Sequence, residues 1–380
     1  MKIGISVSTY YPQKNGVQFV TQNLAEGLVK SGHEVTVITR MYDDYTDSSY
    51  INGVKVFRCN IINKYMFHFG DKKGFHSRIL NLSNKVDVMI FVCLQSVAAD
   101  WSLDFLDKIK CQKIVYMHGM HEFRWKRNDM VNFRNFIYKI LRDVRWGIFY
   151  TVNRNKIGKF DKFIHLHEED SSFKYFEKKY PNKNYILENF VEDMFFLDTN
   201  GKQNFKNYYI YIANYHDGKN QLMLLKAFYL MKKDFKLIFI GSERNKYYFD
   251  LLKKKNSLDR IYKKKKDVMF LYGISRNELS NYLKGAFGYT MTSKSEHYPI
   301  SLIEAMSSGL PVISTDVGIV KYLPGCIIVR NKPKCIAKAM DQLIENKELY
   351  LENKRYVINY AKEHFDYNKY ISKFEKIISF

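Results

Sequence analysis

Short apolar runs alternate with helical stretches along most of this 380-residue chain, and the alternation is interrupted once. In the N-terminal half, residues 3–7, 34–39 and 54–58 read as strands, followed after helical intervals by 86–92 and 114–117. A second series runs through 208–213, 237–241, 268–272, 287–291 and 312–314. A strand that pairs in parallel with its neighbour needs a crossover to carry the chain back, and a helix supplies it. The pattern therefore dictates an α/β chain with parallel sheets wrapped by helices. Between the series, residues 182–206 follow Pro181, contain Asn189, Thr199, Asn200 and Gly201, and hold few apolar side chains, so they read as a linker. Two α/β domains in tandem, with a cleft between them, are the expected organisation.

Open α/β sheets bind ligands at the carboxyl ends of their strands, so the turns after the strands are where chemistry is to be sought. One such turn is Ser293-Lys-Ser-Glu-His-Tyr-Pro-Ile-Ser-Leu-Ile-Glu-Ala-Met-Ser-Ser-Gly-Leu-Pro-Val-Ile-Ser-Thr315. It reads as strand, Pro299 in a first helical turn, a helix through Met306, Gly309 as its stop, and a new strand at Val312. The amides of His297, Tyr298, Ile300 and Ser301 and the positive end of the helix dipole would stabilise an anion such as a diphosphate. Glu296 lies just before the helix and Glu304 about a turn and a half inside it. The two carboxylates can thus grip different parts of one extended ligand.

This segment resembles the Glu-x7-Glu signature of the retaining GT-B glycosyltransferases of group 1, family-4-like type, down to its tail Glu-Ala-Met-x-x-Gly-x-Pro-Val-Ile. The resemblance implies two Rossmann-like domains facing a central cleft. It gives Glu296 the hydroxyls of the donor sugar and Glu304 the nucleotide ribose. Upstream, Tyr-Ile-Tyr-Ile-Ala-Asn-Tyr-His-Asp-Gly-Lys-Asn-Gln-Leu is similar to the family segment that ends in a diphosphate-binding lysine, here Lys219. A mobile cation suits oxygens that become more negative as the sugar departs. Where the family usually carries an arginine five residues earlier, this chain has Asn214. Phe239-Ile-Gly-Ser242 resembles a turn whose glycine, Gly241, lets the backbone approach phosphate or base. Met269-Phe-Leu-Tyr-Gly-Ile-Ser-Arg276 resembles the strand whose following backbone, at Gly273 and Ile274, holds the base.

In the first domain, Tyr10-Tyr-Pro-Gln-Lys-Asn-Gly16 and Ser31-Gly-His-Glu-Val-Thr-Val37 look like the family's opening, where a glycine loop reaches over donor phosphate and acceptor. Gly16 matches, and Asn15 stands where many members have another glycine. Val115-Tyr-Met-His118 ends a strand, and His118 matches a histidine beside the reacting sugar, with His121 and Glu122 close by to serve the acceptor. Ile186-Leu-Glu-Asn-Phe-Val-Glu192 resembles the hinge segment, and Phe365-Asp-Tyr367 opens a stretch like the terminal helix that braces the first domain. The implied domains are 1–190, acceptor-binding, with the helix at about 365–380 packed on it, and 191–364, nucleotide-sugar-binding.

The implied reaction is attack by an acceptor hydroxyl on the face from which the nucleoside diphosphate leaves, with the departing phosphate taking the proton. Neither a metal nor another cofactor is expected, and no carboxylate stands out as a covalent nucleophile. The expected partners are a nucleotide-sugar donor and a glycan or lipid-linked acceptor. Two other readings of the site remain open: a nucleotide-sugar epimerase, and a catalytically silent sugar-nucleotide-binding scaffold suggested by Asn214.

Composition adds the environment. Hydrophobic content of 46% and charged content of 26% exclude a disordered chain. MKIGISVSTY enters a strand-like alternation and reads as no signal peptide. Residues 86–99, broken by Asp87 and Gln95, fall short of the ~18 apolar residues of a membrane span. The five scattered cysteines, without a C-x-x-C pair, read as free thiols of a cytoplasmic protein. A net charge of +22, from 61 Lys+Arg against 39 Asp+Glu, calls for an anionic partner: nucleic acid, membrane surface or phosphorylated substrate. No nucleic-acid-recognition motif is present, and the lysine clusters 253–255 and 263–266, read as surface clusters that interrupt a helix and precede a strand, lie apart from the aromatic-rich segment. That segment, Phe123-Arg-Trp-Lys-Arg127 continuing through Arg134, Lys139, Arg142 and Arg145 with Phe133, Phe136, Ile137, Ile140 and Trp146, reads two ways. Either it lies on an anionic bilayer as a peripheral anchor, or half of its pattern faces the core.

Overall fold

The structure is a computed structural model that describes residues 1–42, 46–64, 67–125, 130, 133–197 and 207–379. The chain forms two compact units, one of Met1–Glu188 with Ile371–Phe380 and one of Asn189–Tyr370.

The first unit holds, in chain order, β1 (Lys2–Ser6), β2 (Glu34–Arg40), β3 (Ser48–Ile51), β4 (Val54–Cys59), β5 (Ile61–Lys64), β6 (Phe67–Gly70), β7 (Val88–Val92), β8 (Gln112–Tyr116), β9 (Lys162–His165) and β10 (Asn184–Ile186). Eight of them make a sheet in the order β10-β9-β8-β7-β1-β2-β4-β3, and β5 and β6 form a separate hairpin. All neighbours in the sheet run parallel except the edge strand β3, which turns back on β4. That turn is Asn52-Gly53 with φ of +48° and +83°, the left-handed pair that a tight two-residue hairpin demands. All five residues of β7, Val-Met-Ile-Phe-Val, are buried. Such continuous apolarity is what a parallel strand covered on both faces requires, and each large side chain contributes about 1.5–3 kcal/mol.

The second unit holds β11 (Tyr208–Ile212), β12 (Lys236–Gly241), β13 (Val268–Tyr272), β14 (Gly288–Met291), β15 (Val312–Thr315) and β16 (Cys326–Val329), all parallel, in the order β13-β12-β11-β14-β15-β16. In each sheet the direction of strand succession reverses once, between β1 and β7 and between β11 and β14. Crossovers diverge at such a reversal, and the loops leaving the two strands part to admit a ligand.

Three sequence expectations are corrected. The supposed linker is packed as far as it is described: β10 pairs with β9, and Leu187, Phe190, Val191 and Phe195 are buried. Thr199, Asn200 and Gly201 lie outside the described residues. Lys253–Lys255 do not interrupt their helix, Lys246–Ile261, which runs through them. Lysine is a good helix former, and Lys255 pairs with Asp259 one turn on at 2.7 Å. Lys266 is no surface residue: it is buried, with Nζ donating to the Met231 carbonyl at 3.2 Å over the Phe228 ring. Among the described residues no helix is long and apolar enough to cross a membrane.

Candidate active site

The second sheet reverses at β11 and β14, and the loops that follow these two strands carry Lys219 and Glu296. After β11 the chain makes a short 3-10 turn, Asp217–Lys219, and Asn220, at φ +55°, redirects it into the helix Gln221–Leu230. After β14 it passes through Ser293 to Glu296. The loops are joined by backbone and side chain alike. Lys294 N donates to the Gly218 carbonyl at 2.8 Å, and Thr292 Oγ1 donates to the Asn220 carbonyl at 3.0 Å. Tyr211, buried in β11, places its hydroxyl 2.8 Å from the Lys219 carbonyl and 2.7 Å from Ser293 Oγ. Ser293 Oγ in turn lies 2.6 Å from Glu296 Oε1, and Lys219 Nζ donates to the same oxygen at 2.6 Å. The Lys219 side chain is 33% exposed and that of Glu296 12%, so the pair stands at the rim of the core and open to a ligand.

The helix that follows is Ile300–Ser307, with Pro299 at its cap position, one residue earlier than a first-turn placement. Gly309 ends it at φ +73°, with Leu310 N closing on the Ala305 carbonyl at 3.0 Å. The turn before the helix is braced by Gly318, where a Cβ would stand 2.3 Å from the His297 carbonyl oxygen and 2.6 Å from that of Glu296. Ile319 N donates to the His297 carbonyl, and Tyr298 is buried with its carbonyl accepting from Asn189 Nδ2 at 3.4 Å. Glu304, on the inner face of the helix, is bound by Arg276, whose Nη2 lies 2.7 Å from its Oε1. Gly273 has φ +63°, a left-handed conformation suited to glycine, and its N–H donates to the Gly241 carbonyl at 3.2 Å, next to Ile274.

Two of the expected donor residues also have partners within the protein. The Cβ side of Gly241 is filled by the Tyr215 ring, which a Cβ would meet at 2.5 Å, so packing alone already requires a glycine there. Asn214 is exposed, and its carbonyl accepts from Gln221 Nε2 at 3.0 Å. Arg244, in the loop beyond the carboxyl end of β12, holds its guanidinium 4.7 Å over the Tyr272 ring.

Gly16 and His118 belong to the first unit and are described there. Gly16 opens the helix Gly16–Lys30, and a Cβ added to it would meet no atom within 4 Å, so that face is free of protein atoms. Asn15 caps the same helix, its side chain accepting from Gln18 N at 2.9 Å. His118 follows β8, its ring 4.4 Å from that of Tyr116. His121 is buried. Its Nε2 lies 2.7 Å from Asp143 and its Nδ1 3.2 Å from Arg142, while its N–H donates to Gln95 Oε1. Since a guanidinium only donates, Nδ1 accepts and Nε2 carries the proton toward Asp143. Burial lowers the imidazole pKa, which keeps the ring neutral. Gln95 and its neighbour Cys93 hold φ of +65° and +64° at the carboxyl end of β7, a backbone strain of the kind that gathers at ligand sites.

Sequence reasoning did not single out Arg276, Ser293 or Tyr211. Their partners lie 28, 3 and 82 residues away along the chain, and only the strand register brings the distant ones together. Among the described residues, no cluster of three or more His, Cys, Asp or Glu could hold a metal ion.

Two α/β units in tandem, the second a parallel sheet with Lys219, Glu296 and Glu304 in the segments that follow its two reversal strands, give the chain a GT-B fold. The glycosyl transferases group 1 model matches residues 195–364, most of the second unit, and the chain is a glycosyltransferase homologue. An uncharacterized glycosyltransferase of Methanocaldococcus jannaschii is 25% identical over 407 residues, covering 97% of this chain and 94% of its own. Among solved structures, sucrose-phosphate synthase of Thermosynechococcus elongatus matches with a TM-score of 0.72 at 12% identity, over 99% of this chain and 97% of that one. Anabaena HepE, in complex with UDP, matches with a TM-score of 0.72 at 12% identity, over 99% of each chain. At these identities the likeness is one of fold.

Proposed function

We propose that this protein transfers a hexose-type sugar from a nucleoside diphosphate to a hydroxyl of a glycan or lipid-linked acceptor, with retention at the anomeric carbon, in cell-surface polysaccharide or glycolipid assembly. The observation that carries this is the contact of Lys219 with Glu296 where the second sheet reverses. Lys219 meets the diphosphate, Glu296 the sugar hydroxyls and Glu304 the ribose. The amides of the turn His297–Ile300 add their dipoles to the leaving group. The bond from the anomeric carbon to the phosphate oxygen breaks, the acceptor oxygen bonds on the same face, and its proton passes to the departing phosphate. The developing negative charge falls to Lys219 and the helix dipole, so this reading calls on no metal. His118, with His121 as the alternative, serves the acceptor.

A ligand that binds only the folded state raises its melting temperature, by an amount set by concentration over affinity. Ribonucleoside diphosphates at about 100 times their dissociation constant are expected to stabilise the chain by about 2.7 kcal/mol. UDP is the first to test, since HepE is seen with it. No shift with any nucleoside diphosphate or its sugars sinks the proposal. Incubation with donor alone separates an epimerase, which alters the donor, and donor binding without transfer to any acceptor leaves the silent scaffold.

The helix Phe133–Val152 supports a membrane-surface partner. Phe133, Ile137, Leu141, Val144, Ile148 and Val152 recur at three- and four-residue spacing and stay 37–79% exposed, a continuous apolar stripe. Trp146, Phe149, Tyr150 and Lys139 face inward, so the helix serves both core and surface. Lys139 is tied to Asp143 at 2.6 Å and to the Glu122 carbonyl, and it is lost to the outer face. Lys126 and Arg127 lie outside the described residues. Exposed apolar surface beside Arg134 and Arg145, in a chain of net charge +22, fits an anionic bilayer. The chain is expected to float with vesicles rich in phosphatidylserine at low salt, and Leu141→Asp with Ile148→Asp to abolish this. Absence of flotation by the native chain, or its conversion to a stable dimer that hides the stripe, would remove the bilayer from this account.

A further inference from the structure

Glu304 is an unusual place to keep a charge. Its side chain is 2% exposed, and burial pushes the carboxyl up to about 7 even with a guanidinium beside it. Arg276, the first residue of the helix Arg276–Gly285, reaches Glu304 Oε1 with Nη2 at 2.7 Å and Glu192 Oε2 with Nε at 2.8 Å. Its Nη2 contacts the same Glu192 oxygen, and its plane lies 4.5 Å over the Phe195 ring. One cation therefore serves two carboxylates, one buried and one 27% exposed. Tyr289 on β14 also faces Glu304, and its hydroxyl, raised by burial and by both Glu296 and Glu304, stays neutral.

Buried ion pairs are weak stabilisers, because desolvation cancels most of the attraction. A ligand that uses the charge explains the arrangement better. The two adjacent hydroxyls of a ribose are both donors, and a carboxylate accepts from both at once. A carboxylic acid must spend one oxygen on its own proton.

We infer that Arg276 is a positioning residue for the donor's ribose: it holds Glu304 ionised and oriented toward the ribose hydroxyls, while Glu192 competes for the same guanidinium and sets how firmly it does so. This rests on the reading that Glu304 receives the ribose. The signs of two pH effects separate it from a packing role. A carboxyl whose pKa is raised by folding favours the folded state at low pH, and that contribution is lost as pH rises through about 7. Ribose capture runs the other way and strengthens over the same window.

The test uses the full chain, the tightest-binding of UDP, GDP and ADP, and the 2′,3′-dideoxy form of that nucleotide. The ratio of the two affinities isolates the ribose hydroxyls, because the diphosphate titrates alike in both. For the native protein the ratio is expected to rise about tenfold between one pH unit below and one above about 7, as the ionised fraction does. Arg276→Gln should move the midpoint up by about one to three pH units, and Glu192→Gln should move it down. Opposite movement by two substitutions on one ion network is not produced by a structural defect. A ratio independent of pH, or midpoints unmoved in variants that melt cooperatively, overturns the inference while leaving the proposed function standing. If Arg276→Gln does not fold, Glu192→Gln decides alone, an unmoved midpoint being fatal. Failure of the native chain to bind these three or any other nucleoside diphosphate overturns the proposed function, and the inference with it.

Discussion

Lys219→Ala is expected to lower turnover about 10²–10³-fold, the usual effect of removing one group that stabilises charge appearing in the transition state. The fold should survive it. The Lys219 side chain is a third exposed, and its turn is held by backbone bonds from Lys294 and by the Tyr211 hydroxyl, none of which involves the ammonium. Loss should appear in the rate with saturating donor and also in diphosphate affinity, because the leaving oxygens carry charge in both states. Lys219→Arg keeps the charge but spreads it over a planar fork, and partial recovery is expected. Steady-state transfer assays with a melting curve on each variant check this. A Lys219→Ala protein with native turnover takes the lysine out of the reaction.

Glu296→Gln should reduce turnover by a comparable factor, yet bind a nucleoside diphosphate at least as tightly as the native chain. The Lys219 ammonium lies 2.6 Å from Glu296 Oε1, so a diphosphate that binds Lys219 competes with that carboxylate for the cation. Glutamine keeps the shape and the contact with Ser293 but relinquishes the charge. The sugar hydroxyls then lose their strongest acceptor, while the phosphates gain an uncontested lysine. Calorimetric titration of the two variants with the same diphosphate should therefore give opposite changes. Equal weakening in both would mean that the pair is a structural ion pair that the donor does not divide.

Most interior strands were legible from apolar or alternating runs, β1, β2, β4, β7, β8, β11, β12, β14 and β15, and so was the edge strand β13. Interior β9, only four residues long, and the other edges were not. β10, Asn-Tyr-Ile, and β16, Cys-Ile-Ile-Val, are short and half-buried, and β3, Ser-Ser-Tyr-Ile, is stabilised by its pairing more than by composition. Its Asn52-Gly53 turn is the one local signal that could have found it. Within the site, spacing along one loop gave Glu296 and Glu304 relative to their helix, and a strand-loop-helix pattern gave Lys219. What spacing could not give is the company each keeps. Glu304 meets Arg276 only because β13 and β14 stand on opposite sides of β11 and β12 in a fixed order, and Glu192 joins them from 84 residues before Arg276. Gly241 has a second reason that spacing could not give: its missing side chain makes room for Tyr215.

The first unit is finished by a segment made long after the rest of it. His33 bonds Glu375 at 3.0 Å, Lys162 Nζ donates to the Ile377 carbonyl at 2.6 Å, and Phe374 is fully buried. On a ribosome adding about 5–20 residues per second, the stretch between Glu188 and Ile371 takes on the order of ten to forty seconds to appear. Through that interval the N-terminal sheet waits with the apolar seat of Phe374 uncovered, and chaperones have their longest opportunity there. An early stop codon or a clipped tail would strike the half of the molecule that was synthesised first.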